Sequence, residues 1–445
     1  MTTEIAVSNQ LGIALATDSA VTITGGGHTK VFDTADKLFE LSANYPVAVM
    51  INGNMDCLGT PWEILIKDFR NIEGGKPRGG IVKWARDFLS YIEQHNGGTE
   101  DSPGGFVDRA IIAEIDRVQQ LILFVIREFV FSSWNEKSPI LSRKNLDVSQ
   151  VLAAAIKIRR DAIDKLPIAP SLKEVTRDSI VEKYQEKIRE LLTREFKGQA
   201  LSDPENQLLV DLIVDSLLRT VESGSSTGIV VAGYGADDTF PAVFSSVIDG
   251  RIGGKLKVLK EDFSCISDCR DGGMVTSFAQ TDVIERLLKG ADVRFVRRAA
   301  EFIEQTVFDA VTKTFQSVAS KKPNKKLESQ RAQQTKDMAS AAKDEFLTTA
   351  AEKIKDNFSR EFDAMIAMMP KQELIELAEA LVSITAIERK ATDDEGTVGG
   401  PVDVALITKH EGFVWIKRKH HFQRELNPRY FWRKYGAALQ GSSGT

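Results

Sequence analysis

Apolar and polar positions change their rhythm several times along the chain. Ile5 and Val7 alternate with polar neighbours, and Ile13, Ala14, Leu15 and Ala16 form a denser run, so residues 3–9 and 11–17 are predicted strands. Residues 38–41 and 47–51 are two more, separated by the turn-like Ser42-Ala43-Asn44-Tyr45-Pro46. Helical spacing follows, first in Pro61, Trp62, Ile64, Leu65 and Phe69, then in Ile81, Trp84, Ala85, Phe88, Leu89 and Ile92. From 104 to 223 the pattern is that of long amphipathic helices. Ser171 is the expected N-cap of one running to about Phe196, and Asp203-Pro204 opens another that Gly224 ends. Strand patterns return at 228–233, 241–248 and 255–259. Helices are expected at 277–288, ended by Gly290, at 293–314 and at 334–357, with a polar, basic linker at 317–330. A further helix starts at Lys371. After the loop DDEGTVGGP, strands are expected at 402–408 and 413–417.

This order predicts an α+β fold in which two packed sheets are flanked by helices, with helical segments inserted at two places. The expected division is 1–103 (first half of the core), 104–223 (helical insertion), 224–291 (second part of the core), 292–369 (helical insertion and basic linker) and 370–445 (last helix, closing hairpin and tail). A net charge of -5 argues against nucleic acid as an obligatory partner, since phosphate binding needs a basic face. The N-terminus lacks the basic and apolar regions of a signal peptide, and no apolar run of about 18 residues spans a membrane. Cys57, Cys265 and Cys269 do not form a disulfide framework or a zinc spacing. The expectation is a cytoplasmic protein with no metal and no cofactor.

Thr2 is the first residue with candidate chemistry. A threonine hydroxyl is a weak nucleophile until a base takes its proton, and an N-terminal α-amine can be that base, with a pKa near about 7.7–8.0. Only Met1 precedes Thr2, and a small second residue permits methionine removal. The segment TTEIAVSNQLGIALATDSAVT resembles the start of mature proteasome β subunits, and of the bacterial proteasome-like peptidase that works with an ATP-driven unfoldase. Asp18 falls at the acid that ends the second strand of that family, and Lys37, in TADKLFELSANYPVAVMINGN, falls at its lysine. The resemblance implies a proteasome-type N-terminal-nucleophile hydrolase with a four-layer α/β/β/α sandwich. Thr2, Asp18 and Lys37 would be catalytic. A lysine ammonium beside the hydroxyl favours its alkoxide-like state, and Asp18 would orient the lysine and hold it charged.

Asn52 and Gly53 lie where the family places its oxyanion-hole glycine. The segment GIVVAGYGADDTFPAVFSSVIDGRI resembles its central hairpin, and the stretch from Glu373 through Ile416 resembles its last long helix, Gly-Gly loop and closing hairpin. The supporting acid of the family falls on Glu395, and its serine before Gly-Gly is replaced by Val398, with Thr397 one residue earlier. Ser277 corresponds to another family serine at the start of a helix. The resemblance covers roughly 1–100, 225–290 and 370–420.

The resulting expectation is a threonine-type endopeptidase acting on a polypeptide or amide substrate, with a homo-oligomeric ring and an ATP-driven unfoldase as partners the family implies. One alternative is a catalytically silent ring or scaffold subunit whose helical inserts bind a partner. Another is a small-amide hydrolase. GGGHTK at 25–30 lacks phosphate-loop spacing and reads as a hairpin loop. Adjacent His420 and His421 do not make a metal site, and Lys417-Arg418-Lys419 reads as a solvated edge.

Overall fold

The computed structural model describes residues 2–25, 28–95, 104–134, 148–196, 201–266, 272–290, 292–317, 325–391, 399–423, 425–430 and 432. The chain opens with strands β1 (Thr3–Asn9) and β2 (Gly12–Thr17), a hairpin of β3 (Val21–Gly25) and β4 (His28–Phe32), then β5 (Leu38–Glu40), β6 (Val47–Gly53) and the short pair β7 (Asp56–Cys57) and β8 (Thr60–Pro61). Helices α1 (Trp62–Ile72), α2 (Ile81–His95), α3 (Phe106–Trp134), α4 (Val148–Ile163), α5 (Arg177–Glu195) and α6 (Asp203–Leu218) follow. Next come β9 (Thr227–Gly233), β10 (Ala242–Ile252), β11 (Lys255–Cys265) and β12 (Gly273–Ala279), then α7 (Asp282–Lys289), α8 (Val293–Ser317), α9 (Lys325–Glu345), α10 (Ala351–Ala367) and α11 (Lys371–Ala391). A closing hairpin of β13 (Asp403–Thr408) and β14 (Gly412–Lys417) completes the elements.

The fold is mixed α and β, with antiparallel sheets. One five-stranded sheet runs β12-β1-β2-β13-β14 and the other β11-β10-β9-β6-β5. In the first sheet β1 and β2 are buried on both faces, because the two sets of alternating side chains both meet apolar partners. Ile5, Val7, Ala14 and Ala16 pack with Leu374, Ala378, Leu381 and Val382 of α11. Ala6, Ile13 and Leu15 pack with Met50, Val230, Ala232 and Val243 of the second sheet. The other face of that second sheet, with Val49, Ile51, Val231 and Phe244, is covered by Trp62, Phe69, Trp84 and Phe88 of α1 and α2. Gly12 lets β13 come close, since a Cβ there would stand 2.8 Å from the Ile407 carbonyl oxygen.

Helices α3 to α6 share an apolar cluster of their own, built on Ile111, Ile156, Tyr184, Ile188, Leu209 and Ile213. It meets the second sheet at β10, where the Phe106 ring fills the space that any side chain at Gly250 would occupy. Two start signals in this region act differently from the sequence expectation. The α5 N-cap is Thr176, whose hydroxyl accepts from the Ser179 N–H, while Ser171 sits in a 3-10 turn and accepts from the Val258 N–H. Ser202 and Glu205 form a capping box at α6, one residue before the expected Asp203, and the helix ends at Leu218, ahead of Gly224.

The expected helix at 277–288 is also shorter. Residues 273–279 stay extended because β1 offers a free edge, and Val275, Thr276 and Phe278 suit a pleated surface. The chain turns at Ala279, whose φ of 64° is left-handed, and α7 starts only at Asp282. Helix α9 begins at Lys325, within the expected linker, of which 318–324 lie outside the described residues. The β3–β4 hairpin surrounds Gly26 and Gly27, which also lie outside them.

Candidate active site

Three chain segments converge at one end of β1. Thr2 directly precedes β1, Asp18 directly follows β2, and Lys37 directly precedes β5. Because β1 and β2 pair as a hairpin, the start of one lies beside the end of the other, with Glu4 opposite Thr17. The Thr3 N–H donates to Asp18 Oδ1 at 3.1 Å, and the Asp18 N–H donates to the Thr3 carbonyl. Lys37 arrives from the facing sheet, where its carbonyl accepts from the Ile51 N–H of β6.

The lysine joins the three. Lys37 Nζ donates to Thr2 Oγ1 at 2.9 Å, to Asp18 Oδ1 at 2.8 Å and to the Ala20 carbonyl at 2.5 Å. An ammonium has three N–H donors, and here each has an acceptor. Lys37 is fully buried and Asp18 almost so. Burial pushes the Lys37 pKa below the ordinary lysine range, because an unsolvated ammonium is costly, and the adjacent Asp18 opposes that drop. Asp18 in turn accepts N–H bonds from Thr3, Ala20 and Gly399. Since Thr2 Oγ1 is an acceptor from Lys37, its own proton is free to go elsewhere.

The loop after α11 closes the site from the far end of the sequence. Ser19 donates from its backbone to Gly399 and from its hydroxyl to Pro401. Gly400 has φ +74°, and a Cβ there would stand 2.6 Å from the Asp33 carbonyl oxygen, so only glycine fits. Glu395, Thr397 and Val398, just before this loop, lie outside the described residues, as do Met1 and Cys269.

Asn52 and Gly53 end β6. Asn52 Nδ2 donates to Glu4 Oε2 at 2.9 Å, which ties the facing sheet to β1 two residues from Thr2. Gly53 has φ +79° and lies opposite Thr227, and a Cβ there would meet the Ser226 carbonyl at 2.4 Å. Ser277 sits within β12, opposite Ile5, and not at the start of a helix. No hydrogen bond ties Ser277 or Gly53 to Thr2, Asp18 or Lys37 among the described residues.

A cleft of about 380 Å³ opens between the sheets beside this cluster. Its walls include Asn52, Val230, Val243 and Ser245 on one side and Thr276, Phe278 and Ala279 on the other. Thr2, Asp18 and Lys37 are not among its lining residues; the cleft ends at Ala279, whose partner across the strands is Thr3.

No protein-family model matches the chain, and no curated protein matches it. Among solved structures the chain is similar to Anbu (ancestral beta-subunit) from Yersinia bercovieri. The likeness covers 100% of this chain and 98% of that chain at 9% identity, with a TM-score of 0.26. Among the described residues no helix is long and apolar enough to cross a membrane, and no group of three or more His, Cys, Asp or Glu side chains is placed to hold a metal ion.

Two features of the site have no counterpart in the sequence expectation. The first is Glu4, fully buried beside Lys37 and Asp18. Burial pushes its carboxyl up to about 8, against the pull of the Asn52 hydrogen bond and the Lys37 charge, and with a push from Asp18. The alternation on β1 carried the signal, since positions 2, 4 and 6 share a face and Ala6 points into the space between the sheets. The second is Lys419. It is 7% exposed and pairs with Asp36, one residue before Lys37, and with Asp403. The expected solvated edge is therefore corrected at this residue: two carboxylates draw its ammonium inward. His421 approaches Asp36 as well, at 3.5 Å.

Proposed function

We propose that this chain is a threonine-type amide hydrolase, an endopeptidase on a four-layer α/β/β/α frame of the N-terminal-nucleophile kind, with Thr2 as nucleophile once Met1 is removed. The observation that carries the reading is the single lysine Nζ within 2.9 Å of Thr2 Oγ1 and 2.8 Å of Asp18 Oδ1. In this reading the α-amine of Thr2 takes the proton from Oγ1 as the oxygen attacks the carbonyl carbon of the scissile amide. The Lys37 ammonium stabilises negative charge growing on Oγ1. The turn at Asn52-Gly53 is assigned the backbone N–H that faces the oxyanion. The tetrahedral intermediate collapses, the C–N bond breaks, and the leaving amine takes its proton from the α-ammonium. Water then attacks the ester on Thr2, the amine again accepts a proton, and Thr2 Oγ1 leaves with it.

Residues 1–103, 224–291 and 370–445 are taken as the core that builds this site, and 104–223 and 292–369 as additions to it. The cleft between β12 and the second sheet suits an extended polypeptide, since Val230, Val243 and Phe278 offer apolar contact and Asn52, Ser245 and Thr276 offer polar groups. Turnover of an unfolded protein such as casein by the mature chain tests the reading, with Thr2→Ala beside it. The expected result is cleavage by the wild type and none by Thr2→Ala. Equal cleavage by both, or mature chain that cleaves only small amides, would overturn the endopeptidase assignment.

A further inference from the structure

Lys419 follows the last strand, yet it reaches the segment that delivers the site lysine. Its Nζ pairs with Asp36 Oδ1 at 3.3 Å and with Asp403 Oδ2, and its backbone N–H donates to Asp403 Oδ1 at 3.0 Å. Each carboxylate stands one step from the cluster at Thr2. Asp36 directly precedes Lys37, which leads into the second sheet at β5. Asp403 opens β13 of the first sheet, opposite Thr17, and Thr17 directly precedes Asp18. One ammonium therefore ties the strand pair that presents Asp18 to the segment that presents Lys37. Asp403 is almost without solvent, and a buried carboxylate needs a cation. That need explains the Asp403 pair but not the reach to Asp36. Without the shared ammonium, two carboxylates brought to one point would repel. The Lys37 backbone is held through its carbonyl by Ile51, and Ala35 is held by the Ser19 carbonyl. The Asp36–Lys419 pair adds a hold on the residue between them.

We propose that Lys419 is a positioning residue for the Thr2 reaction: by joining Asp36 to Asp403 it fixes Lys37 Nζ in its place between Thr2 and Asp18. This rests on the reading that Thr2 is the nucleophile. The charge of Lys419 and its position act in opposite senses. Two ammonium groups repel, so the charge of Lys419 disfavours the charged form of Lys37. Losing that charge alone would favour the Lys37 ammonium and help the reaction. Losing the clamp would let Lys37 drift from Thr2 Oγ1 and slow it. The sign of the change separates the two.

The test uses mature full-length chain and four variants. Asp36→Asn frees the Lys37 segment but leaves the Lys419–Asp403 pair whole, so the buried carboxylate keeps its cation. Lys419→Met removes the clamp entirely, and Lys419→Arg can still bridge both carboxylates. Lys417→Met is the control, since Lys417 pairs with Glu379 on α11. Lys419→Met is expected to lower kcat by about 10²-fold at unchanged KM, the scale of an ångström-sized misplacement of a catalytic group. Asp36→Asn should lose roughly tenfold. Lys419→Arg should regain most of the loss, and Lys417→Met should match the wild type. If Lys419→Met does not fold, Asp36→Asn decides alone. A crystal structure of Asp36→Asn reads the position without turnover, and Lys37 Nζ should stand outside hydrogen-bond reach of Thr2 Oγ1. Full kcat in folded Asp36→Asn, faster turnover in Lys419→Met, or an unmoved Lys37 in the variant's structure overturns the proposal. Failure of the nucleophile assignment is a separate result, seen as turnover that survives Thr2→Ala whatever the place of Lys37.

Discussion

Among the described residues, two lysine–aspartate pairs have all their side chains at 2% exposure or less, and they differ in what else the lysine touches. Lys37 pairs with Asp18 at 2.8 Å, and Lys257 on β11 approaches Asp249 on β10 at 3.6 Å, with all four side chains almost without solvent. Burial lowers both lysines, and Lys257 falls to about 8. The remaining contacts of Lys257 are the carbonyls of Ser216 and Val221, and Asp249 takes the N–H and hydroxyl of Ser223. That pair joins α6 and the chain after it to the sheet, and besides Asp249, Lys257 donates only to backbone carbonyls among the described residues. Lys37 has a hydroxyl as its third acceptor. A perturbed lysine therefore does not mark a reactive centre by itself. The group it polarises does.

The largest expected contrast comes from removing each lysine. Lys37→Met should lower turnover by about 10³-fold, the scale of losing one preorganised charge at a developing oxyanion. Lys257→Met should leave turnover per folded molecule unchanged while costing about 3–5 kcal/mol in urea unfolding, because Asp249 is left buried without its cation. If Lys257→Met also lost turnover in folded protein, the distinction between brace and reactive pair would fail.

Glu4 and Lys257 should also respond to pH in opposite directions. For Glu4 the folded value of about 8 lies above the ordinary 4.5, so the folded state binds more protons in that window and stability falls as pH rises from 4.5 to 8. For Lys257 the folded value of about 8 lies below 10.5, so the unfolded state binds more protons and stability rises from pH 8 to 10.5. Melting of Glu4→Gln and Lys257→Met against wild type across pH 4.5 to 10.5 checks both signs. Each variant should flatten only its own window.

The smallest effect belongs to the helical region. Ser202→Ala removes half of the α6 capping box and should cost about 1 kcal/mol by thermal unfolding, with turnover unchanged.

How much of this was legible in the sequence follows the same division. Alternation in residues 3–9 and the denser apolar run in 11–17 marked β1 and β2 nearly to their ends, and both strands are buried on two faces. The helix at 277–288 came out too long because residues 275–278 have a pattern that fits either period, and only the free edge of β1 decides it. The Thr2, Asp18 and Lys37 positions were legible as matches to a family pattern, and the structure brings these three within hydrogen-bonding reach. Asp36, Asp403 and Lys419 were not, since three charges far apart in sequence carry no local sign of meeting. Glu4 was overlooked even though its parity with Thr2 and Ala6 put it on the inward face.

Covalent labelling of the mature chain by a threonine-directed electrophile, mapped by peptide mass spectrometry, tests the central claim most directly. One adduct per chain is expected, on residue 2, strongly reduced in Lys37→Met and retained in Lys257→Met. A chain that keeps Met1 despite active aminopeptidase, or an adduct elsewhere that persists in Thr2→Ala, would contradict it.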